Sequence, residues 1–226
     1  MTAEIMAARE DLDSIIINLE NETNNIHSDI RNIDNGYLID CICELLLTLA
    51  EQKYGDTSLA PDDIHMSPAF YQLPRSRVGV TLETPERPKV THIICIGSTV
   101  KTWQQFLYEL AHETLHLLGP TDTNKNPVAR IEEGVAVKFA EDFYNHFVLP
   151  FINQRPYSSP LGSPTSVYYK AHKVTNKIPD EVLKRIRAEF KNFRDVKKDG
   201  LYTLAKKFIT EDEATYLSLP FDYNVF

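Results

Sequence analysis

The sequence predicts an α+β fold, a small sheet set among helices. Three observations predict it. Residues 89–97 are dense in β-branched side chains and closed by glycine, the composition of a strand. Directly after them, residues 103–118 and 128–147 carry helical periodicity between clear stops. Toward both ends of the chain, residues 37–54 and the stretch from Pro179 onward repeat the helical pattern.

From the N-terminus, a weak helix is expected over residues 9–20 and a stronger one over 37–54, where Gly55 offers a C-terminal cap. Residues 61–88 hold five prolines, which forbid a long helix and predict irregular structure around a short strand at 78–82. The strand at 90–96 follows. Thr102 is then the expected N-cap of the helix 103–118, which Gly119-Pro120 ends. Asn126-Pro127 opens the second central helix, over 128–147, before a proline-rich stretch at 150–164. Pro179-Asp180-Glu181 starts a C-terminal helix that sets Val182, Ile186, Phe190 and Phe193 on one face.

Bulk composition narrows the function. A chain of 226 residues buries a sizeable core without cross-links. Its three cysteines, Cys41, Cys43 and Cys95, are odd in number and predict free thiols in a reducing compartment, here the cytoplasm. The net charge of −8 argues against nucleic acid or anionic membrane as a partner. Basic residues outnumber acidic ones between Lys170 and Lys207, which reads as a solvated helical face. Glu4, Glu10, Asp11 and Asp13 give the start of the chain no secretory character. The most apolar window, 37–50, is broken by Asp40 and Glu44 and falls short of the roughly 20 residues a spanning helix needs.

The chemistry lies in the two central helices. His112-Glu113-Thr114-Leu115-His116 is an HExxH pattern. Four-residue spacing on a helix puts both imidazoles on one side, near enough to share a metal, with Glu113 beside the first. Helical phase sets Trp103, Phe106, Leu107, Leu110, Thr114 and Leu117 on one apolar stripe, apart from Tyr108, Glu109, His112 and His116. On the next helix stands Ile131-Glu132-Glu133-Gly134-Val135-Ala136. A catalytic zinc takes three protein ligands and leaves a fourth position for water, so a carboxylate returning on a neighbouring helix completes the set.

In these residues the chain resembles the gluzincin clan of zinc metallopeptidases, which combine HExxH with a downstream glutamate, often followed by glycine. The resemblance runs over residues 112–141. It implies a Zn2+ held by His112, His116 and Glu133, with Glu132 as the fallback third ligand, and Glu113 as the general base that activates water on a peptide or protein substrate. It implies a minimal zincin-like core of small mixed sheet, active-site helix and glutamate helix, at 59–149, between an N-terminal helical segment at 1–58 and a C-terminal one at 150–226. It further implies that the strand before the active-site helix, through Thr91, Ile93 or their neighbours, pairs with an extended peptide.

Two departures stand beside it. Sixteen residues separate His116 from Glu133, slightly fewer than in the familiar families, and the position four after the glutamate ligand is Val137 rather than aspartate. The partner of the histidines' second nitrogens is left unassigned by the sequence, with Glu141 or Asp142 as candidates. Tyr168, Tyr169 and His172 are the candidate oxyanion donors. His146 is expected at a helix C-terminus. Cys95 stands in a different local motif from the cysteine that peptide deformylases pair with HExxH. The alternative function is a zincin-fold binding or regulatory module whose zinc site is not catalytic. An accidental HExxH in a helical interaction protein would bind no stoichiometric metal.

Overall fold

The computed structural model describes residues 33–81, 89–120, 128–152, 155–156 and 158–222. The helix expected at 9–20 lies outside them. The remainder is an α+β fold, as expected: a three-stranded sheet with helices on either side of it in sequence.

Helix α1 (Ile33–Tyr54) buries Ile39, Ile42, Cys43, Leu46, Ala50 and Tyr54, a run at three- and four-residue steps that forms one continuous side. Gly55 ends it with φ 99°, where only glycine fits without strain. The buried side meets the sheet and the central helices. No helix among the described residues is long and apolar enough to cross a membrane.

The sheet runs in the order β1-β3-β2, with β1 (Ile64–Phe70) parallel to β3 (His92–Ile96) and β2 (Arg77–Val80) antiparallel to it. Strand β1 falls where five prolines predicted irregular structure. It is tolerated because it is an edge strand whose register breaks between His65 and Ala69, around Pro68. At such a break the missing N–H costs no ladder bond. Strand β3 is the centre of the sheet, so its backbone groups are engaged on both sides; Ile93 pairs with His65 on one neighbour and with Gly79 on the other. Just before it, Thr91 and Thr81 bond to each other through backbone and side chain. The expectation that β3 offers free groups to a peptide is therefore corrected.

Helix α2 (Trp103–His116) begins at the capping box of Thr102 and Gln105. The expected division into an apolar and a polar side gives way to burial almost all round, because α1, the sheet and α3 all pack on it. Helix α3 (Arg130–Phe143) widens into π turns over Tyr144–Val148 and resumes as the short α4 (Leu149–Ile152). The wide turns immediately precede Pro150, whose ring would clash with the carbonyl four residues back in a regular helix.

Helices α5 (Val167–Thr175), α6 (Asp180–Phe190), α7 (Lys198–Ala205) and α8 (Glu211–Ser218) complete the fold. Gly134 lets α3 and α5 approach closely: a methyl group there would overlap Thr175 Oγ1 and stand 2.9 Å from the Ala171 carbonyl oxygen. Arg187 on α6 is buried and donates to the carbonyls of Tyr54, Asp56 and Leu118 at 3.3, 2.7 and 2.6 Å. One side chain thereby satisfies the C-terminal ends of both α1 and α2, carbonyls that a helix cannot satisfy internally. The last described segment folds back on the start of α3, where Ala129 bridges Pro220 and Phe221 N–H donates to the Val128 carbonyl at 2.7 Å.

Candidate metal centre

His112 and His116 stand one turn apart at the end of α2, and Glu133 stands in the first turn of α3. Packing of these two helices brings His112 Nε2 to 3.2 Å from Glu133 Oε2 and His116 Nε2 to 3.8 Å from Glu133 Oε1. One ligand atom from each of the three residues lies within 4.8 Å of the others, so the group could hold a metal ion. Donors at about 2.0–2.2 Å from a tetrahedral ion stand about 3.3 Å apart, and the two histidine–glutamate separations, 3.2 and 3.8 Å, lie near that value.

Burial disfavours a charged imidazole at His112, yet its hydrogen bond to Glu133 and the charges of Glu133, Glu109 and Glu132 outweigh it and hold the ring above its ordinary value. His116 is raised by the same balance, burial against the charge of Glu133 and the hydrogen bond and charge of Glu132. Glu113 is pushed up to about 8, by burial first and then by Glu109 and Glu133, against His116 and the Val78 backbone N–H that donates to it.

Glu132 does not point its carboxylate at the ligand cluster. Its Oε1 accepts from His116 Nδ1 at 2.8 Å, and both its oxygens accept from Arg194, at 3.0 Å from Nη2 and 3.3 Å from Nε. The candidate partners Glu141 and Asp142 are engaged elsewhere. Buried Glu141 accepts from Tyr108 at 2.9 Å, from Arg155 at 2.7 Å and from Ser159, while Asp142 pairs with Lys53 and Lys138. Nothing near Arg194 in the sequence marks it, since it lies 62 positions along the chain from Glu132.

A cavity of about 190 Å³ opens beside the cluster, with His112, Glu113, Glu109, Arg75, Ser158 and Tyr168 in its wall. Tyr168 lies edge-on to the His112 ring at 6.1 Å and packs on Phe221 at 4.6 Å. Burial, with Glu133 and Glu113 adding, raises its phenol far above the ordinary range, so it stays protonated. Of the three candidate oxyanion donors, the fold brings only Tyr168 into this wall. Buried His172 senses Glu141, Lys138 and Asp142 instead, and its ring is lowered chiefly by burial. His146 Nδ1 bonds the Asp142 carbonyl at 2.9 Å, one turn back on its own helix. Cys95 on β3 is not among the clustered ligands.

No family model, curated protein or solved structure matches this chain.

Proposed function

We propose that the chain is a zinc-dependent peptidase of the gluzincin type, hydrolysing peptide bonds with Glu113 as general base. The convergence of His112, His116 and Glu133 beside Glu113 carries this reading. Two imidazoles and one carboxylate are the donor set of a catalytic zinc, and such a set leaves one position open. On this reading α2 is the active-site helix and α3 the glutamate helix of a zincin-like core. His112, His116 and Glu133 would hold a zinc ion there, and it would supply Lewis acidity, lowering the pKa of a water toward about 7 and polarising the scissile carbonyl.

The chain's own residues do the rest. Glu113 takes the proton of the attacking water and passes it to the leaving amine. The Val78 N–H, donating to the Glu113 carboxylate, orients it. That contact puts edge strand β2 alongside the HExxH turn, so an extended peptide adds to β2 rather than to β3. The Tyr168 hydroxyl donates to the oxyanion as charge develops there. The cavity walls are largely polar and the space is small, which suits a short or polar side chain next to the scissile bond.

Elemental analysis of the purified chain, beside Glu113→Gln and a peptide-library digest, tests the proposal. The expected result is near one zinc per chain in both proteins, with turnover lost by about 10²-fold or more in the variant. Stoichiometric zinc without cleavage of any library member would favour the non-catalytic binding module. Absence of zinc after reconstitution would overturn both.

A further inference from the structure

The geometry assigns Arg194 a positioning role: acting through Glu132, it fixes the His116 imidazole and thereby sets the affinity of the His112, His116, Glu133 cluster for a divalent ion. The inference rests on the metal-binding reading of that cluster and adds to it a residue from the C-terminal part of the fold.

Three nearly buried side chains stand in line, with His116 at 10%, Glu132 at 6% and Arg194 at 5% side-chain exposure. For His116 to offer Nε2 as a lone pair, its proton must sit on Nδ1, and the Glu132 oxygen 2.8 Å from Nδ1 holds it there. The Arg194 guanidinium fixes that carboxylate in turn: its Nη2 and Nε donate to the two oxygens, one contact each, so the carboxylate plane is held.

The backbone around Arg194 is built to present it. Lys191 ends α6 in the left-handed conformation at φ 65°. Asn192 then closes a turn on Asp195, accepting its N–H at 2.7 Å and donating to its carboxylate at 2.8 Å. Within that turn Phe193 is buried edge-on against Tyr54 at 5.9 Å, and the next residue reaches Glu132. The same α6 sends Arg187 to the Leu118 carbonyl, just past the last turn of α2. Two arginines of one C-terminal unit thus hold the His116 end of α2, one by backbone and one through its imidazole.

The test uses the full chain, stripped of metal and titrated with Zn2+ and with Co2+ against a chromophoric chelator, as wild type, Arg194→Met, Arg194→Lys and Glu132→Gln. Arg194→Met and Glu132→Gln should bind Zn2+ about 10- to 100-fold more weakly, with a changed visible spectrum of bound Co2+. Arg194→Lys, which keeps the charge and loses the fork, should fall between them and wild type. If Arg194→Met does not fold, the Lys and Gln variants read the same link. Affinities within about twofold of wild type and an unchanged Co2+ spectrum, with only the thermal midpoint lowered, would make Arg194 a purely structural tie and overturn the inference while leaving the metal site standing. A wild type that binds neither ion would overturn both.

Discussion

The ring of Tyr168 meets that of His112 edge-on, with centroids 6.1 Å apart, and is backed by Phe221. On the proposed reading, a tyrosine fixed so close to His112 can donate to an oxyanion without first being drawn in. Tyr168→Phe should therefore keep the metal and lower kcat by about 10²- to 10³-fold with little change in KM. Steady-state kinetics beside metal analysis would check this. An unchanged kcat would move the oxyanion role elsewhere.

Metal binding should depend steeply on pH. Both imidazoles are raised in the ion-free site by neighbouring carboxylates, and an ion must displace their protons. The free protein binds more protons than the loaded one, so affinity rises with pH and falls as pH drops through the raised imidazole range. Competitive titration between about pH 6 and pH 8 should show the release approaching two protons per ion. The ion-free fold runs the other way. Its His–Glu pairs stabilise it fully below the ordinary imidazole value of 6.5, and that contribution is lost as pH rises through the raised values.

Gly134→Ala tests the helix contact that carries Tyr168. The added methyl would press on Thr175 and on the Ala171 carbonyl of α5, and such overpacking costs about 1–3 kcal/mol. Urea unfolding would measure it. Because Tyr168 is on α5, turnover should fall as well, while Glu133, on the first turn of α3, still finds its histidines.

Arg187→Met removes the buried cation that donates to the Tyr54, Asp56 and Leu118 carbonyls. We expect a loss of about 3–5 kcal/mol, read as a lower thermal midpoint in metal-free protein. Saturating metal should recover part of it by mass action, about 2.7 kcal/mol at a hundred times Kd.

Much of this was legible in the sequence where the signal was local. The helix stop at Gly55, the Thr102 cap and the four-residue spacing of the histidines all act within a turn or two, and the structure has them where the residues put them. Glu133 was legible because the helix carrying it follows α2 after a short connection. Strand β1 was not, since the tolerance for Pro68 comes from its place at the sheet edge, which only the assembled sheet defines. The partner of His116 was hidden in the same way. Glu132 and Glu133 are neighbours with like chemistry, and only the approach of α2 to α3 decides that one faces Nδ1 and the other Nε2. Arg194 could be found only after α6 and its turn were folded against them.

The bridge between Ala129 and Pro220 ties the chain into a closed loop whose neck is the doorway of helix α3. Everything from Glu133 to Arg194 lies on that loop, so its elements are tethered at both ends and give up less entropy when they dock than free segments would. A proteolytic nick inside the loop leaves each piece anchored at the neck. Deleting residues 219–221 removes the bonds of the neck itself, and with them the brace on the turn from which Glu132 and Glu133 reach opposite sides of one imidazole.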